Sequence, residues 1–100
     1  MRPEEKVEKE FVEDCKKLFG IDAYKFEIRN KKGAPDRIMF LPQATTILIE
    51  FKKPGLREEG LSKHQIEFID DLTQKGFSVL VTDNSYDALN FVKYHLENKK

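Results

Sequence analysis

The sequence has no tryptophan, a single cysteine and no excess of charge of either sign. A lone Cys15 cannot close an internal disulfide, so packing alone must hold the fold, as expected in a reducing compartment. Eighteen Lys and Arg balance eighteen Asp and Glu. That balance excludes a generally basic nucleic-acid coat protein and leaves only a local patch for any polyanion. No apolar run approaches the ~20 residues that a membrane helix needs. Met1 to Glu10 also lacks the apolar core of a signal peptide. A soluble, intracellular chain with no membrane partner is expected. What the chain has in quantity is charge, 36% of its residues against a usual ~25%. Its 100 residues suffice for one core, so residues 1–100 are expected to form one domain.

Hydrophobic spacing divides the chain into seven elements. From Pro3 to Leu18 the apolar positions Val7, Phe11, Cys15 and Leu18, with Val12 beside them, follow helical spacing, and Gly20 stops the helix. Ala23 to Ile28 alternates as a half-buried strand, and Asn30 to Pro35 is a loop. Asp36–Leu41 and Thr45–Lys52 read as strands joined by the turn Pro42–Ala44. A charged loop over Pro54–Gly60 leads to Ser62, which caps a helix to Lys75 with Ile66, Ile69 and Leu72 as its buried stripe. Phe77–Thr82 is an apolar strand, expected to be covered on both faces. Asp83 to Ser85 then starts a last helix with Ala88, Leu89, Val92 and Leu96 inward. The order α-β-β-β-α-β-α predicts an α/β fold, a mixed sheet flanked by helices.

The anomaly lies in the best strand. Ile47-Leu48-Ile49-Glu50-Phe51-Lys52 places a carboxylate and an amine where core should be. Strand geometry puts Glu50 and Lys52 on one face, about 7 Å apart at Cα. A strand-end ion pair would explain them, but a second acid arrives nearby. Asp36 opens the hairpin partner, and counting back from the turn sets it roughly opposite Glu50 or Lys52. Paired carboxylates suit Mg²⁺, a hard cation that takes one or two carboxylates, waters and phosphate. Such a cation stabilises charge building on a phosphodiester, and a neighbouring lysine is placed to position or deprotonate the attacking water.

Three blocks carry a family resemblance: Gly33-Ala34-Pro35-Asp36-Arg37, Glu50-Phe51-Lys52-Lys53-Pro54-Gly55 and Leu61-Ser62-Lys63-His64-Gln65. In this order and spacing they resemble the VRR-NUC branch of the PD-(D/E)XK nucleases, and in length the short stand-alone phage-type members. The resemblance implies a restriction-endonuclease-like core and a Mg²⁺-dependent endonuclease, with Mn²⁺ as substitute and no small-molecule cofactor. It implies Asp36, Glu50 and the Phe51 carbonyl as metal ligands and Lys52 beside the water. It also implies a site-facing glutamate on the first helix. Glu4 fits that place best by its spacing to Val7, and Glu8, one turn on, is the alternative. A phage-encoded chain would act in the host cytoplasm.

Gln65 carries two readings. Ser62-Lys63-His64-Gln65 is a capping box, and the resemblance has Gln65 facing the water or the lysine. The two roles are compatible. His64 reads as a surface histidine and Cys15 as plain core, while Tyr94 and His95 show no partner pattern. Arg29, Lys31, Lys32 and Arg37 flank the Asp36 loop, and Lys53, Arg57 and Lys63 flank the other. These seven are the expected phosphate-backbone contacts.

No base-reading motif is visible, so recognition of DNA by shape is expected, with branched DNA as substrate. A four-way junction needs two nicks, and one chain offers one site. A homodimer is therefore expected, with Phe68, Tyr86, Phe91 and Tyr94 as surplus aromatics for its interface. The alternatives are a flap or nicking nuclease, a restriction-type nuclease, or a non-catalytic nucleic-acid-binding domain.

Overall fold

The computed structural model describes residues 1–98. Helix α1 (Pro3–Phe19) leads through the short strand β1 (Tyr24–Lys25) to β2 (Arg37–Leu41) and β3 (Thr45–Phe51). A 3₁₀ turn (Glu58–Gly60), helix α2 (Lys63–Gln74), strand β4 (Ser78–Thr82) and helix α3 (Ser85–Glu97) follow. The predicted order of elements is the observed one. The sheet runs β1-β2-β3-β4. Its first three strands are antiparallel, and β4 lies parallel to β3 after the α2 crossover.

The two faces of the sheet are filled differently. On one face α1 and α3 close over Met39, Leu41, Ile47, Ile49 and Phe51, with Phe11, Cys15, Ala88 and Val92 fully buried between them. Cys15 is core, as predicted, and burial pushes its thiol up to about 11. On the other face α2 packs on β4 and leaves the far side of the sheet open. There the rings of Tyr24 and Phe40 meet at a tilt, 6.1 Å apart, and both are exposed.

Helix α1 begins as its sequence dictates. Pro3 takes the first turn, the Arg2 N–H donates to Glu5 at 3.0 Å, and Gly20 ends the helix at φ +69°. Leu18 is exposed, however, and Phe19 takes its place, because Phe19 extends the i, i+4 series of Phe11 and Cys15.

Three further element predictions need correction. The strand expected over Ala23–Ile28 pairs only at Tyr24 and Lys25. Beyond them the chain folds into a tight turn, with Ile28 bridged to Lys31 and Asn30 at φ +64°. Helix α2 buries Phe68, whereas Ile66 is exposed and Ile69 and Leu72 are half-buried. Phe68 is drawn in by the loop before β2, where Phe26 packs on it and the Lys31 ammonium lies 5.0 Å over its ring. Finally, β4 starts at Ser78 rather than Phe77, which is exposed. Helices α2 and α3 pack on its two faces as expected, but it is the sheet's edge and only Val81 and Thr82 are buried on it.

Candidate active site

The turn between β2 and β3 sets the site's register. Pairing runs from Leu41↔Thr45 to Arg37↔Ile49. One step further places Asp36 opposite Glu50, the first of the two sequence alternatives. Cross-strand neighbours share a face, so both carboxylates lie on the α2 side, where Lys52 follows directly on the end of β3. Asp36 accepts the Phe51 backbone N–H at 2.8 Å, which fixes it to the end of the ladder.

Gln65 joins the strand to the helix. Its Nε2 donates to Glu50 Oε2 at 2.8 Å, and its Oε1 accepts from Lys52 Nζ at 2.9 Å. Lys52 Nζ also sits 3.2 Å from Glu50 Oε2. The same Gln65 Oε1 accepts the Ser62 N–H at 2.9 Å, and Ser62 Oγ accepts the Gln65 N–H at 3.2 Å. Both readings of Gln65 thus hold together, because one side chain completes the capping box and spans Glu50 and Lys52.

The electrostatics are those of a site awaiting positive charge. Glu50 is 3% exposed, and its Oε1 is buried without a hydrogen-bond partner among the described residues. Burial first, and then the charge of Asp36, push its carboxyl up to about 7 despite Lys52 and Gln65. Asp36 is also raised, chiefly by burial, against the pull of the Phe51 N–H. Two desolvated carboxylates side by side, one with an orphaned oxygen, fit a cation that accepts one or two carboxylates and fills its shell with water and phosphate.

No third acid completes the pair. Among the described residues no three His, Cys, Asp or Glu side chains gather closely enough to hold a metal. Glu8 pairs with Arg37 Nε at 2.6 Å, and its charge acts on Asp36. Glu4 lies 4.0 Å from Arg2. The charge of Glu8 thus reaches Asp36, while Glu4 sits beside Arg2 at the start of the same helix.

The seven predicted cations separate into two groups. Arg37 is committed to Glu8 and to the Ala23 carbonyl at 3.0 Å. Arg57 is committed to Asp83 at 3.3 Å and Asp87 at 3.0 Å. Arg29, Lys31, Lys32, Lys53 and Lys63 are exposed and join no ion pair among the described residues. A cleft of about 660 Å³, lined in part by Arg29 and Lys31, opens onto Asp36. Lys25 lines it too and acts on the charge of Asp36, a contribution that the alternation of its strand conceals. His64 is exposed, as predicted, but its backbone matters. Gly33, at φ +96°, lies so close that a Cβ there would meet the His64 carbonyl oxygen at 2.4 Å. That contact docks the Asp36 loop on the first turn of α2.

Comparison with known proteins agrees with the motifs. The profile of the VRR-NUC domain matches residues 3–85. A protein named "Putative nuclease p44", from Acyrthosiphon pisum secondary endosymbiont phage 1, is 36% identical over 81 residues, which cover 81% of this chain and 83% of that protein. A solved structure titled "VRR_NUC domain" superposes with a TM-score of 0.76 at 20% identity, over 95% of this chain and 98% of that one. The chain belongs to the VRR-NUC family of nuclease domains.

Proposed function

We propose that the chain is a Mg²⁺-dependent DNA endonuclease, formed as one domain by residues 1–100, that cuts branched DNA and resolves four-way junctions as a homodimer. The observation that carries this reading is the Asp36–Glu50 pair, half-buried and buried respectively and both raised in pKa, with Glu50 Oε1 unpartnered among the described residues. Asp36, Glu50 and the Phe51 carbonyl would hold the metal. Bound there, Mg²⁺ would neutralise charge developing on the scissile phosphate and make a nearby water more acidic. Lys52 Nζ, held by Gln65 Oε1, would orient that water by donating a hydrogen bond to it, and the water's proton would pass to solvent. Gln65 keeps Lys52 and Glu50 at fixed separation, so the amine need not be reordered during the reaction. Glu8, or Glu4 one turn earlier, would act on the Asp36 side. The free cations Arg29, Lys31, Lys32, Lys53 and Lys63 would grip the phosphate backbone.

Two exposed tyrosines on α3, Tyr86 and Tyr94, with half-buried Phe91, support a paired assembly. Phe68 no longer does, being 7% exposed in the chain's own core. The test incubates labelled duplex, flap, splayed-arm and four-way-junction DNA with Mg²⁺, Mn²⁺, Ca²⁺ or EDTA. Junction cleavage with Mg²⁺ or Mn²⁺, binding without turnover in Ca²⁺ and silence in EDTA are expected. Full activity in EDTA overturns the metal assignment. Light scattering that gives the monomer mass of 11.7 kDa, with and without junction DNA, replaces paired resolution with single nicking.

A further inference from the structure

Arg57 lies in the segment that joins the end of β3 to the start of α2. Those two ends carry the partners of one catalytic hydrogen bond, Lys52 at the strand and Gln65 beyond the Ser62 cap. The segment has little secondary structure of its own, only the 3₁₀ turn Glu58–Gly60. Its own backbone hydrogen bonds, from Leu56 N–H to Lys53, Gly60 N–H to Arg57 and Leu61 N–H to Glu58, fold it locally. It is tied from outside to the turn between β4 and α3 and to the first turn of α3. Arg57 reaches Asp83 at 3.3 Å and Asp87 at 3.0 Å, and the Gly55 N–H donates to Asp83 Oδ2 at 2.8 Å. Asn84, the cap of α3, donates to the same two carboxylates at 2.9 and 3.0 Å, which aims both at the segment. Within the segment, Gly60 lies against the aliphatic stem of Lys52, where a Cβ would approach Lys52 Cδ to 3.3 Å. The chain therefore runs from an acidic helix start, through Arg57, to the stem of the active-site lysine.

We propose that Arg57 is a positioning residue for Lys52: by clasping Asp83 and Asp87 it holds residues 53–61 so that the Lys52–Gln65 hydrogen bond forms before substrate arrives. The proposal rests on the nuclease reading above. It also reassigns Arg57, which sequence alone placed among the DNA-contacting cations. At the surface each of these contacts is weak and screened by salt, yet they converge on one short segment. Misplacing a catalytic amine by a fraction of its hydrogen-bond length is costly in rate even where stability hardly changes.

The test uses the full chain with Arg57→Ala, and Arg57→Lys as the conservative control. Single-turnover cleavage at saturating junction DNA, DNA affinity over a salt series, and amide hydrogen exchange at Ser62 and Gln65 without DNA are measured. Arg57→Ala should slow cleavage by about 10-fold and leave DNA affinity and its salt slope unchanged. Exchange at Ser62 and Gln65 should quicken while Ile47, Leu48 and Ile49 keep their protection, and Arg57→Lys should restore most of the rate. Unchanged cleavage together with unchanged exchange overturns the clasp. So does weakened DNA binding with a salt slope reduced by about one, which makes Arg57 a phosphate ligand. If the unaltered chain cuts no DNA at all, the nuclease reading fails, and the exchange rates by themselves still decide whether Arg57 orders the Ser62–Gln65 cap.

Discussion

Strand β3 has two faces that share a backbone and little else. Ile47, Ile49 and Phe51 look toward α1 and α3 and disappear into a dry core. Leu48, Glu50 and Lys52 alternate with them and look toward α2, where Glu50 is as buried as the apolar residues beside it but carries an ionisable carboxyl. The first face lowers the energy of the folded chain, and the second raises it. Burial of Glu50 beside Asp36 is an uphill arrangement that the opposite face must outweigh. Stability and chemistry are thus separated by a single residue step along one strand, and substitutions should separate them cleanly.

The largest effects should come from the charged face and appear only in activity. Asp36→Ala and Glu50→Ala are expected to lose cleavage and Mg²⁺ binding while melting no earlier than the parent in EDTA. Lys52→Ala should keep metal and DNA binding and lose turnover by roughly 10²–10⁴-fold. Calorimetry that shows Mg²⁺ binding lost in Lys52→Ala would contradict these roles. On the apolar face the pattern inverts. Ile49→Ala removes a fully buried side chain next to Glu50 and should cost about 2–5 kcal/mol, read by denaturant unfolding. Whatever remains folded should cut at a near-normal rate.

A pH series sharpens the contrast. The folded-state pKa of Glu50, about 7, lies above its ordinary value of 4.5. Between those values the folded chain binds more protons than the unfolded one, so stability should fall as pH rises through that window. The loss should be about 3 kcal/mol at most, with Asp36, also raised, adding in the same direction. Glu50→Gln should flatten the curve in EDTA, and Mg²⁺ should restore stability to the parent most at the alkaline end. A parent whose metal-free melting temperature rises steadily from pH 5 to 8 would refute the assignment of a raised Glu50.

Among the substitutions that destabilise, the smallest effect belongs to Gly33→Ala. It forces a side chain onto φ +96° and against the His64 carbonyl, at a cost of about 1–3 kcal/mol. Its effect on cleavage should be larger than that cost suggests, since the same contact seats the Asp36 loop on α2. Thermal melting and single-turnover rates on the same variant test both halves.

How much of this was legible beforehand follows the same division. Periodicity found every α-helix and strand but not the 3₁₀ turn, and the charged interruption Glu50–Lys52 marked the candidate site because nothing in strand propensity explains it. The hairpin turn narrowed Asp36 to two partners, and only the observed register chose Glu50. Gln65 was visible from its spacing to Ser62, since a capping box and a site residue need the same i, i+3 placement. Contacts between distant segments left no local trace. Phe68 was misjudged because Phe26, which covers it, arrives from a loop more than forty residues away. The ion pairs of Arg57 were equally hidden, because the acids that hold it follow β4. Nor could spacing along the first helix show that Arg37 on β2 pairs with Glu8, whose charge acts on Asp36.

The shared oxygen of Gln65 has a consequence for anyone engineering this domain for heat resistance. A glutamate at the third position of a helix completes a capping box as well as glutamine does and favours the positive end of the helix dipole. Judged by helix rules alone, Gln65→Glu is an improvement. Here it would remove the amide that donates to Glu50 Oε2 and set a third negative charge against two carboxylates already short of compensation. The substitution that most improves α2 as a helix is therefore one that this helix must refuse.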